Sequence, residues 1–101
     1  MYLRPNSKAR EVVAAACSYH SLYAMPMTAQ AVAGMASVSY NTARKWLKSM
    51  EDNGDIRSET VAVDMGVCQT ITIYYFDDDS HAFFAARLWG VESLVQYRFP
   101  F

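Results

Sequence analysis

Apolar residues in the first quarter of the chain recur at spacings of three and four. In "KAREVVAAACSYHSLY", Val12, Val13, Ala16, Cys17, Tyr19 and Tyr23 fall on one stripe, the period of an α-helix with one face against a core. Ser7, behind Pro5 and Asn6, offers an N-terminal cap and no breaker intervenes before Pro26, so a helix is predicted over about Lys8 to Tyr23. Met25, Pro26 and Met27 interrupt it. Thr28 can cap a short second helix from Ala29 to about Ala36, because its hydroxyl accepts an amide hydrogen left free at a helix start. Ser37, Val38 and Ser39 make a tight connection, and Ser39 is placed to cap a third helix from Tyr40 to about Asp52. Asn53 and Gly54 close that helix, since both tolerate left-handed backbone.

Past Gly54 the period drops to two. Ile56 to Val63 and Val67 to Phe76 are rich in Val, Ile, Thr and Tyr, and "DMG" between them puts Gly66 where a hairpin turn needs a positive φ. In "QTITIYYF", Ile71, Ile73 and Tyr75 share one face and Thr70, Thr72 and Tyr74 the other, as in a strand with one side packed. The run "DDDS" suits a helix start, with Ser80 or Asp79 as cap. A fourth helix is predicted from His81 to about Tyr97, and Gly90 is able to divide it. The fold class expected is α+β, mainly α: one domain over residues 1–101, with three helices, a β-hairpin and an additional C-terminal helical segment.

The segment "TAQAVAGMASVSYNTARKWLKSMEDNGDI", from Thr28 to Ile56, joins helix, tight turn, helix, glycine and hairpin in unbroken register. Ala33 holds a small residue where two helices would cross, and Val38 an aliphatic plug in the turn. Ser39 is the next cap, and Ala43, Leu47 and Met50 form an inner stripe. In these features the chain resembles the winged helix-turn-helix family of transcription regulators. It departs from the family at Ser37, where glycine is usual, at Ala36, where a larger aliphatic residue is usual, and at Trp46, where a smaller side chain is common. Trp46 implies packing on something bulky, either the first helix or the aromatic C-terminal segment.

The resemblance implies that the third helix enters a DNA major groove by its N-terminal part and that the hairpin is a wing. With Ala43, Leu47 and Met50 inward, Tyr40, Asn41, Arg44, Lys45 and Lys48 turn largely to the opposite side. Asparagine and arginine can read base edges, hydroxyls reach the backbone and lysines neutralise it. The candidate DNA-binding set is therefore Thr28, Ser39, Tyr40, Asn41, Thr42, Arg44, Lys45 and Lys48, with Arg57 on the hairpin. Without the surrounding motif, such a helix would be an ordinary solvated one.

A formal net charge of -1 argues against DNA only if it is spread evenly. It is divided: residues 1–50 carry +5 and residues 51–101 carry -6. Because attraction to phosphate decays over roughly 8–10 Å in physiological salt, the local basic face outweighs the total.

Other chemistry has little support. Cys17 and His20 stand one helical turn apart, but Cys68 and His81 complete no zinc spacing, so reduced thiols and structural histidines are expected, with no metal and no cofactor. No phosphate loop or nucleophile–base motif points to an enzyme. No run approaches the ~18 apolar residues of a membrane span, and "MYLRPNSKAREVV" is too polar for a secretory signal, which places the chain in the cytoplasm. In "HAFFAARLWGVESLVQYRFPF", Phe83, Phe84, Leu88, Trp89 and Leu94 either close the core over the sheet or form an interface. The balance favours a homodimer interface. The expectation is a small prokaryotic or phage transcriptional regulator acting on double-stranded DNA. The alternative is a winged-helix adaptor or inhibitor that binds a protein partner through its acidic aromatic half.

Overall fold

The computed structural model describes residues 7–64, 66 and 68–96 of the 101-residue chain. It is α+β and mainly helical, in the order α1 (Lys8–Tyr23), β1 (Met27–Thr28), α2 (Ala29–Ala36), α3 (Tyr40–Asp52), β2 (Arg57–Asp64), β3 (Cys68–Tyr75) and α4 (Asp79–Leu88), then a 3-10 turn over Glu92–Leu94. The strands form one antiparallel sheet in the order β1-β3-β2. No helix of the described residues is long and apolar enough to cross a membrane.

The first three helices start where the capping residues put them. Ser7 Oγ accepts from Arg10 N–H at 3.1 Å, Thr28 Oγ1 from Ala31 N–H at 3.1 Å and Ser39 Oγ from Thr42 N–H at 3.2 Å. The ends of the last three helices share a second device. Val38 N–H donates to Ala33 C=O at 3.1 Å, Asp55 N–H to Met50 C=O at 2.9 Å and Val91 N–H to Ala86 C=O at 2.9 Å, so α2, α3 and α4 all close with the same six-residue hydrogen bond. That closure needs a left-handed residue inside it. Gly54 (φ 86°) and Gly90 (φ 71°) supply it for α3 and α4, and Ser37 (φ 56°) for α2. Ser37 therefore takes the strained conformation that the usual glycine would adopt freely.

Helix α1 is the hub, packing against α2, α3 and α4. Its residues Val12 to Ser18 are all buried, and Ala14, Ala15 and Ala16 let the surrounding helices approach closely. Val12, Val13, Ala16 and Cys17 lie in the core as predicted, and Tyr19 packs at its edge. Tyr23 does not join them: it sits in the last turn of α1, beyond the reach of the core, and is 55% exposed. Ala43, Leu47 and Met50 of α3 are completely buried. Trp46 is half-buried against the core and lines a shallow cleft with Trp89.

Two expectations change in the second half and one is decided. The hairpin gains a third strand, because Met27, read as part of an interruption, and the helix cap Thr28 pair with Tyr74 and Ile73. The face of β3 that packs, left open between its two sides, is that of Tyr74. Tyr74 lies opposite the buried Met27, whereas Ile71, nearer the tip, stays exposed. Helix α4 begins and ends earlier than predicted. Asp78, not Asp79 or Ser80, caps it by accepting from His81 N–H at 2.9 Å, and Gly90 terminates the helical path. The end expected near Tyr97 lies outside the described residues.

Trp89 and Val91 beyond α4 are buried, and two polar contacts hold this segment in place. Trp89 Nε1–H donates to Asp55 Oδ2 at 2.7 Å, and Gln96 N–H to the buried Ser18 Oγ at 2.8 Å. The segment thus helps close the core, with Trp89 as its main apolar anchor.

Candidate nucleic-acid interface

Helix α3 is anchored by its inner stripe, so its other side faces water by geometry rather than by chance. Tyr40, Asn41, Arg44, Lys45 and Lys48 are all exposed, and no carboxylate appears on the helix before Glu51. Tyr40, Arg44 and Lys48 run along one line of this side, and Asn41, Lys45 and Lys48 along the adjacent one. The Arg44 guanidinium lies 5.9 Å from the Tyr40 ring centroid, and the Lys45 ammonium 5.0 Å from that of Trp46, which steers both cations along the helix.

The structure brings Thr28, Tyr40 and Arg44 together in one groove of about 370 Å³ between α2, α3 and β3. Its remaining wall is Ala29, Gln30, Gln69, Thr70, Ile71, Thr72 and Tyr74. Among the described residues Arg44 is the one charged residue lining it, beside hydroxyl and amide side chains that both donate and accept hydrogen bonds. Burial holds the Tyr74 phenol above its ordinary value; Glu51 and Tyr40 push the same way, and the nearby Arg44 opposes them.

The other candidates serve structure as well. Ser39 Oγ donates to Thr42 Oγ1 at 2.9 Å in addition to capping α3, and Thr28 Oγ1 is occupied at the start of α2. Arg57 is exposed and has a partner within the fold. Its guanidinium is bound to Asp77 at 2.9–3.0 Å, because β2 runs beside the segment leading into α4. Lys48 is close to Asp52 at 3.9 Å, but both are exposed and the pair is weak.

Gln30, Gln69, Thr70, Thr72 and Tyr74 were not anticipated from the sequence. The alternation of Thr70, Thr72 and Tyr74 on one strand face was visible, but only the pairing of β3 with β1 sets that face beside α3.

Several carboxylates of the acidic half have partners within the molecule. Asp77 binds Arg57, Asp78 binds His81 at 2.7 Å and Asp79 binds His20 at 2.8 Å. Ser58 Oγ donates to Glu51, and Tyr75 Oη donates to Glu59 at 2.9 Å. The hydrogen bond to His81 holds Asp78 below the usual carboxylate range, and the same contact raises His81. Among the described residues no group of three His, Cys, Asp or Glu side chains is placed to hold a metal ion. Cys17 and His20 are engaged elsewhere, the thiol with Ala82 C=O at 3.6 Å and the imidazole with Asp79.

Of the apolar interface candidates, Phe83, Phe84, Leu88 and Leu94 are exposed, while Trp89 is 1% exposed and belongs to the interior. Trp89 therefore leaves the interface set.

Compared with family models, with curated proteins and with solved structures, the chain finds no match in any of the three.

Proposed function

We propose that this chain is a small DNA-binding transcriptional regulator of winged helix-turn-helix type, with α3 as its major-groove helix and the β2–β3 hairpin as its wing. Element order supports the reading: α2, tight turn, α3 and hairpin follow in sequence, and β1 ties the hairpin to the start of α2. The observation that carries it is the outer side of α3, where Tyr40, Asn41, Arg44, Lys45 and Lys48 stand in solvent before the first carboxylate. Arg44 and Asn41 would read base edges, Lys45 and Lys48 would neutralise phosphates, and the hydroxyls of Thr28 and Tyr40 would meet the backbone beside the groove. The reading is of a cytoplasmic regulator that acts without a cofactor.

Titration of duplex DNA in low salt, first of random sequence and then of genomic fragments, tests it. Arg44→Ala should weaken binding about tenfold or more to a preferred site. Lys48→Ala should lower the log–log salt slope by about one unit. No binding, or binding indifferent to both substitutions, overturns the reading.

One observation favours a second reading. Phe83 and Phe84 lie open on α4, away from the groove residues, as they would in a protein-binding module. In that case a protein would be captured by the wild type and lost with Phe84→Asp, while DNA would bind neither.

A further inference from the structure

We propose that α4 is a self-association surface that packs antiparallel against α4 of a second copy of this chain, about a two-fold axis. The inner side of α4, Ala82, Ala85 and Ala86, is buried in the domain. Ser80, Phe83, Phe84, Arg87 and Leu88 lie on its outer side, spaced as one helical stripe, and all are exposed. Phe83 is 50%, Phe84 65% and Leu88 48% exposed. The two phenylalanine rings meet edge to face at 6.4 Å, and the Arg87 guanidinium lies 5.8 Å from the Phe83 ring centroid.

With an aromatic side chain offering on the order of 200 Å², these exposures leave about 300 Å² of apolar surface per copy from the three residues. A standard interface takes about 800 Å² per partner, so the patch is sized to be the apolar centre of a dimer whose rim is polar. Leu94, also exposed, lies just beyond the end of α4.

Charge selects the occupant. Helix α4 runs from Asp79 to Leu88, and its midpoint falls between Phe83 and Phe84. A two-fold axis there sets Phe83 against Phe84 of the second copy and Arg87 beside Ser80 and Asp79 of the second copy. Asp79 is fully exposed even though it binds His20, so its carboxylate is open to that cation. A parallel pairing would instead bring Arg87 to Arg87 and Asp79 to Asp79, which like-charge repulsion opposes. The antiparallel pairing also opposes the two helix dipoles favourably. The surface is thus complementary to itself in polarity along the helix and in charge.

Sedimentation equilibrium of the full chain without DNA tests the proposal, so its outcome is separate from that of DNA binding. The wild type should show a monomer–dimer equilibrium at concentrations below about 1 mM. Phe84→Asp and Arg87→Glu should each weaken it about tenfold or more, and joining Arg87→Glu with Asp79→Lys should restore part of the loss. Phe84 and Arg87 are exposed, and circular dichroism checks that each variant keeps the native fold. A wild type that stays monomeric, leaving the face to another partner, overturns the proposal, as does a dimer indifferent to Phe84→Asp.

Discussion

Asp55 is where the end of α3 meets the C-terminal segment, and removing its carboxylate measures that junction. Oδ2 accepts from Trp89 Nε1–H at 2.7 Å and from Asn53 Nδ2–H at 3.1 Å. Trp89 is among the largest fully buried side chains, so Asp55→Ala leaves an indole donor without this acceptor inside the core. A buried donor left unsatisfied costs about 1–3 kcal/mol. Asp55 itself is only half-buried, and water entering the space it vacates offsets part of the loss, so the lower half of that range, about 1–2 kcal/mol, is expected. Asp55→Asn keeps an acceptor oxygen but not the charge, and should cost about half as much. Urea unfolding gives the stabilities, and a Trp46→Phe background leaves Trp89 as the one fluorophore of its kind. Wild-type stability in Asp55→Ala, or an Asn variant as unstable as the Ala variant, would refute the reasoning.

Two further outcomes follow from the backbone and the core. Ala24 closes α1 at φ 51° in exposed surroundings, so Ala24→Gly should relieve about 1–2 kcal/mol of left-handed strain and return roughly half of it in unfolded-state entropy. Thermal unfolding should show a net gain of about 0.5–1 kcal/mol, and a loss would contradict the strain argument. Burial pushes the Cys17 thiol up to about 12, with the Asp55 carboxylate adding to it. In a Cys68→Ser variant, Cys17 should therefore resist a thiol reagent at pH 8 until the protein is unfolded; rapid native-state labelling would show that the core opens there.

Where helices begin and end was largely legible in the sequence because the signals are local. Ser7, Thr28 and Ser39 cap with their own hydroxyls, and Gly54 and Gly90 turn the chain where a side chain would strain it. The inner stripe of α3 was legible for a related reason: three apolar residues at helical spacing have one side in common. That stripe fixes its opposite, so the outward set from Tyr40 to Lys48 could be named before any fold was known. The packed side of β3 was not legible. Both of its faces carry residues suited to a strand, and Met27 of β1 decided between them from more than forty positions away.

The charge pattern shows the same division. The sequence by itself determined that the first half carries a net positive charge and the second a net negative one, and that α3 changes sign in its last turn. Tertiary structure alone decided which charges stay available. It joined Arg57 to Asp77 and two histidines to Asp78 and Asp79, left Arg44 facing a polar groove, and took Trp89 inside while leaving Phe83 and Phe84 in water. The physical reason is range. Capping and helical periodicity act across three or four residues of chain, whereas ion pairing and burial depend on distances that only the packed molecule sets.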